Sequence, residues 1–278
     1  MSYDFGGDTF DLDNPEDRAT VRFVLSQALY GEATGVYCGK SLYAARSLEA
    51  AKFYVRQAHQ ELNHLQLFAE IFRELDMKPD PGHWVIRLLS AHNNYYPLKV
   101  LMEHALGEGM VLDIFRDVLL QTLPDSDPRV PLIKKKLRAV CREEEEHVAW
   151  GEKETRRILA ESPWLKTPFY GLLELQLMVA PLVARAFEGR EHRVLRHLPG
   201  FIASIKTRMW AQGQALGFVP AERPGLVFRV WAMLWGAALF VRSQFARSSS
   251  KLEHIYLGEL GFTEGSAPAL TTQAGSTP

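Results

Sequence analysis

The sequence predicts an all-α protein: a four-helix bundle over residues 15–160 and a helical C-terminal extension over 161–262. Three observations carry that expectation. No stretch sustains the apolar-polar alternation of a half-buried strand. Helix starts and stops recur four times between Asn14 and Ala160. The connections between those four helices run short, long, short, the pattern of two helical hairpins joined by one crossover.

Taken in order, Asn14-Pro15-Glu16-Asp17 opens the first helix with a capping side chain, a proline at the first helical position and two acids at the positive end of the helix dipole. This helix is expected to reach about Ala45. The second runs from about Ser47 to Asp76, where Pro79, Pro81 and Gly82 end it. The third begins near Pro97 and stops before Pro124; the fourth runs from near Pro131 to about Ala160, before Ser162-Pro163. The long connection, Pro79 to Tyr96, gives the bundle the single crossover of ferritin-like topology. Beyond Pro163, three more helices are expected over Phe169–Glu188, Gly200–Leu216 and Gly225 to about Ser248. Residues 1–14 form an acidic N-terminal segment, and the small, polar residues 263–278 are expected to be disordered.

Composition narrows the function. With 32 Lys+Arg against 33 Asp+Glu the net charge is −1, which gives no basic footprint for nucleic acid. Two cysteines, Cys38 and Cys141, are too few for thiolate metal clusters or a disulfide scaffold and fit a reducing cytoplasm. Met1 to Asp17 carries six acids and no base, the reverse of a targeting peptide.

The chemistry lies in Glu61-Leu62-Asn63-His64 on helix two and Glu144-Glu145-Glu146-His147 on helix four. Residues three apart share a helix face, so each pair can offer a carboxylate and an imidazole to one ion. Alone the pattern is weak, since roughly one acid-x-x-His arises by chance in such a composition. Placement strengthens it. Ile133, Leu137, Val140 and Cys141 lead at helical spacing onto Glu144 and His147, while Tyr54, Ala58, Glu61, Leu65 and Phe68 make a similar stripe. Val21, Leu25 and Ala28 lead to Glu32; Leu101 and Ala105 lead to Glu108. A carboxylate on a core stripe is costly unless it meets a metal or another partner.

One Glu from each of two helices and Glu-x-x-His from each of the other two is the di-metal arrangement of bundles. Four carboxylates and two imidazoles around two divalent ions sum to zero charge. Iron, with manganese admissible in one position, suits this oxygen-rich set better than four-coordinate zinc. The metal set expected is therefore Glu32, Glu61, His64, Glu108, Glu144 and His147, which are also the catalytic residues. Glu103 is the rival to Glu108, and His104 a candidate outer partner or extra ligand. The other glutamates of the run Glu143 to Glu146 read as a solvated face.

Around these residues the sequence resembles the ferritin-like di-iron oxygenases, most closely the cyanobacterial aldehyde-deformylating oxygenases. Glu143-Glu144-Glu145-Glu146-His147-Val148-Ala149-Trp150-Gly151-Glu152 is similar to that family's Asp-Glu-Tyr-x-His-Leu-Asn-Tyr-Gly-Glu segment, and Glu108 to Phe115 resembles its helix-three segment. The resemblance covers residues 15 to 160 and implies O2 as co-substrate, a ferredoxin/reductase-like electron donor and an apolar, lipid-like substrate. The chain departs from it in continuing about 130 residues past His147 and in reading Gln60-Glu61-Leu62-Asn63-His64-Leu65-Gln66 where the family is methionine-rich. The alternatives are a ferroxidase or iron-handling protein, a di-iron N-oxygenase or a desaturase. The N-oxygenases carry a further His one turn before the helix-four Glu, and Val140 stands there.

Several features leave two readings each. Gly31, Gly35 and Gly39 near Glu32, and Gly107 and Gly109 beside Glu108, are costly inside helices and mean either room for substrate or close helix packing. Tyr30, Tyr37 and Tyr54 read as redox-active or simply buried tyrosines. The unbroken apolar run Val230 to Val241 rises only about 18 Å as a helix, short of a bilayer core of about 30 Å. It is expected to cover the bundle, to form a homodimer contact, or to give residues 226–247 a peripheral contact with a membrane.

Overall fold

The computed structural model describes residues 3–82, 95–185 and 193–245, with the backbone alone for 37–40 and 181–185. Residues 83–94 of the expected Pro79 to Tyr96 crossover, and the tail 263–278, lie outside the described residues. Among those described there are seven helices and no strand. Helix α1 spans Pro15–Gly35 and continues as a tighter 3-10 segment, Val36–Ala44. Helix α2 spans Leu48–Glu74, α3 spans 96–122, and α4 spans Val130–Glu161. The extension supplies α5 (Lys166–Arg185), α6 (Leu198–Leu216) and α7 (Leu226–Gln244).

The capping chemistry fixes the ends. The Asn14 side chain accepts from the amides of Glu16 and Asp17 at 2.9 and 3.4 Å, and Ser47 accepts from Ala50 at 3.0 Å. Arg18 donates to the carbonyls of Leu75 and Asp76 at the C-terminal end of α2, where terminal carbonyls have no partner within the helix. Gly217, in the left-handed region at φ 83°, closes α6.

Two departures concern helix geometry. The first helix is α-helical only to Gly35, short of Ala45. Helix α3 widens into π geometry over Val100–Gly107 and again over Ile114–Leu119, on either side of the α-helical turns Glu108–Asp113. Such widening disturbs the regular backbone ladder. Gln212 of α6 donates to the Ala105 carbonyl inside the first widened stretch, at 2.8 Å.

Two apolar clusters fill the interior. One gathers Phe53 and Tyr54, Leu98 to Leu106, Ile158 and the inner faces of α5 and α6. The other gathers Val21, Leu25, Phe68 to Leu75, Leu112 to Leu123 and Val130 to Cys141. It also takes in Phe5, Phe10 and Leu12, so the acidic N-terminal segment is anchored by its aromatic and aliphatic side chains. Along α2, α3 and α4 the predicted Glu and His positions fall between the two clusters. Apolar packing on both sides thus fixes a polar layer at mid-length.

Helix α7 lies along α5 at backbone distance. A Cβ on Gly171 would stand 1.8 Å from the Ala232 carbonyl oxygen, and one on Gly236 2.7 Å from that of Pro168. Buried Glu174 accepts from Tyr170, Arg223 and Arg229 and ties the start of α7 to α5. The face of α7 turned away from α5 is not covered: Val227 is 86% exposed and Leu234 66%, and Trp231 and Val241 are also open to solvent. The expectation of a helix sealed over the bundle is therefore not met. By length and composition alone, α7 is the one helix among the described residues long and apolar enough to cross a membrane.

Candidate metal centre

The six predicted residues converge. Ligand atoms of Glu32, Glu61, His64 and Glu144 lie within 4.8 Å of one another, as do those of Glu61, Glu108 and His147. The two groups share Glu61. Both histidines turn Nδ1 inward. His64 Nδ1 stands 2.9 Å from Glu32 Oε2, 3.2 Å from Glu144 Oε1 and 3.9 Å from Glu61 Oε2. His147 Nδ1 stands 3.2 Å from Glu144 Oε2 and 3.9 Å from Glu61 Oε1. Glu61 and Glu144 thus each present one oxygen to each histidine and occupy the middle of the cluster, with Glu32 at one end and Glu108 at the other.

Five of the six are buried; Glu108 keeps 17% of its side chain exposed. Gln57 holds it, donating from Nε2 to Glu108 Oε1 at 3.0 Å and to Glu61 Oε1 at 3.3 Å. Burial, then the charges of Glu32, Glu144 and Glu108, push the Glu61 carboxyl well above the usual carboxylate range. Burial and Glu144 do the same to Glu108. Burial works against the charged form of His64, yet its hydrogen bonds to Glu144 and Glu32 raise it to about 10. Glu144, for all its burial, is held ionised by His147 and His64. Without metal, the cluster is therefore held together by protons, and the His64 imidazolium takes the place of a cation between carboxylates. The donor set, buried and rich in carboxylate, fits a divalent ion.

Neighbouring residues divide clearly. Glu103 pairs with Lys99 and stands outside the group. His104 is buried, 3.9 Å from Glu108 Oε1, with no hydrogen-bond partner at Nε2; burial, then the Lys99 charge, keeps it neutral. Burial, then Glu144 and Glu145, pushes the Cys141 thiol up to about 12, which makes it inert. Tyr54 packs among Phe53, Tyr96, His104 and Trp150, and the Tyr30 ring lies against Gly82. The side chains of Tyr37 and Cys38 lie outside the described residues.

Of the glycines near the site, Gly35 and Gly109 serve close packing, Gly107 sits against its own widened helix, and Gly31 has open space beside it. A Cβ on Gly35 would sit 2.7 Å from Glu61 Oε2, one on Gly109 3.1 Å from the Arg208 guanidinium, and one on Gly107 2.7 Å from the Met102 carbonyl oxygen. Gly151 lets α4 approach the backbone of α3 at His104.

Sequence reasoning missed three polar partners. Gln57 sits one turn before Glu61 on the inner face of α2, where a buried amide is itself a signal. Gln60 and Glu143 immediately precede the glutamates of the two motifs. His147 Nε2 lies 2.9 Å from Gln60 Oε1, and His64 Nε2 lies 2.9 Å from Glu143 Oε2. Each motif is therefore braced from the other helix. Glu143 does not belong to the solvated face, whereas Glu145 and Glu146 do. The repeated Gln/Glu-Glu-x-x-His wording was the available clue.

Comparison with known protein families and with curated proteins finds no match for this chain.

Proposed function

We propose that the chain is a ferritin-like, non-haem di-iron oxygenase or oxidase acting on an apolar, lipid-like small molecule. The observation that carries the reading is the central pair, Glu61 and Glu144, with one oxygen of each turned to each histidine. In this reading Glu32, Glu61, His64 and Glu144 hold one ion, and Glu61, Glu108, His147 and Glu144 hold the other. A pair of iron ions supplies reduction of O2 when bound. The protein's own part is legible in the side chains. His64 gives up its proton for the ligand role, and Gln57 orients Glu108. The apolar clusters on both sides keep water from the buried carboxylates, and the partial exposure of Glu108 supports entry of a small molecule at that end.

A lipid-like substrate arrives from a membrane surface in this account, and the open apolar face of α7 supports that source. Electrons come from an external ferredoxin/reductase-like donor. One observation favours a second reading, a ferroxidase: the space at Gly35 and Gly109 is taken by Glu61 and Arg208, which withdraws those two glycines as an argument for an organic pocket.

The test is anaerobic loading with Fe(II), metal analysis, and O2 exposure with and without fatty aldehydes, alkanes and amines. Two irons per chain and O2 consumption coupled to an oxidised organic product support the oxygenase. Two irons with rapid Fe(II) oxidation indifferent to every additive support the ferroxidase.

A further inference from the structure

The two Glu-x-x-His motifs brace each other with chemically different groups. His147 Nε2–H donates to the neutral amide oxygen of Gln60, whereas His64 Nε2–H meets the carboxylate of Glu143, both at 2.9 Å. The ligand groups differ in the same direction. Both groups share the central Glu61 and Glu144, and each adds one carboxylate of its own: buried Glu32 beside His64, partly exposed Glu108 beside His147. Glu108 is further held by an amide, Gln57. One end of the cluster thus has a more deeply buried end carboxylate and a negative charge behind its histidine. The other end is backed by amides and lies closer to solvent.

We infer that the two metal positions are inequivalent: a tight position at His64 and a weaker, exchangeable one at His147, with Glu143 and Gln60 as the positioning residues that set the difference. This rests on the two-metal reading above. A carboxylate accepting from a ligand imidazole makes a charge-assisted bond roughly twice as strong as a neutral one. It also raises the basicity of the metal-facing nitrogen. Loss of such an outer partner typically costs about 10- to 100-fold in metal affinity.

Anaerobic titration of the full chain with Co(II), followed by calorimetry and visible absorption, tests this. The expected isotherm has two phases at least about tenfold apart. Glu143→Gln should weaken the tight phase by about 10- to 100-fold and shift the absorption of the first equivalent, leaving the second phase in place. Gln60→Glu should tighten the weak phase and narrow the gap, and circular dichroism should show both variants folded. Should Glu143→Gln fail to fold, the Gln60→Glu titration decides alone. Two equivalents with one common affinity, or both variants moving both phases equally, would overturn the inference while leaving the two-metal reading intact. No Co(II) binding by the parent would overturn both.

Discussion

Loading the site with metal should expel protons. His64 is raised to about 10 by its hydrogen bonds to Glu144 and Glu32 against the effect of burial, so at pH 7 it carries a proton that metal binding must remove. Glu61 and Glu108, pushed up by burial and neighbouring carboxylates, hold protons well above pH 4.5. Each proton displaced strengthens the apparent affinity tenfold per pH unit, or about 1.4 kcal/mol. With one each from His64, Glu61 and Glu108, the slope reaches about a thousandfold per unit where all three are protonated. Stability follows the same sign. The raised histidine stabilises the metal-free fold fully below about 6.5 and loses that contribution as pH rises towards 10. The raised carboxyls destabilise the metal-free fold progressively as pH rises above 4.5. The thermal shift produced by metal should therefore grow with pH. Calorimetry with Mn(II) in buffers of different ionisation enthalpy counts the protons released. No release, with an affinity flat between pH 6 and 8, would refute the account of a proton-held cluster.

Three further outcomes follow from particular contacts. Gly35→Ala puts a methyl 2.7 Å from Glu61 Oε2; metal affinity should fall markedly while the melting temperature moves little, and metal analysis beside a thermal melt checks both. Gly171→Ala drives a methyl into the Ala232 backbone, where no side chain can yield; overpacking of about 3 kcal/mol should lower the melting temperature by about 6–12 °C and speed hydrogen exchange in α7, and an unchanged melt would contradict the close α5–α7 packing. The parent should co-sediment with anionic phospholipid vesicles, and Trp231→Glu/Trp235→Glu, still folded by circular dichroism, should not; a parent that never binds vesicles removes α7 as the entry surface.

Much of the helical frame was legible because its punctuation is local. Asn14, Ser47, Pro97 and Pro131 mark helix starts whatever packs against them, and the six Glu and His positions stood out as costly charges on apolar stripes. What stayed hidden depends on partners distant in sequence. The π turns of α3 were invisible because the spacing Leu101, Ala105, Glu108, Leu112, Phe115 satisfies an ordinary α-helix. Gly35 and Gly109 could not be assigned until the Glu61 carboxylate and the Arg208 guanidinium were seen occupying their space. Phe5, Phe10 and Leu12 were masked by the acids around them, although burial of three large apolar side chains decides where that segment lies. An all-round apolar helix such as α7 announces that it needs a partner without naming it.

The central claim, that Glu61 and Glu144 join two metal positions, is tested most directly by anomalous diffraction from crystals grown anaerobically with Fe(II). The account predicts two iron peaks per chain, one beside His64 Nδ1 and one beside His147 Nδ1, with both carboxylates reaching both. A single peak, or none within the Glu and His cluster at saturating iron, would contradict it.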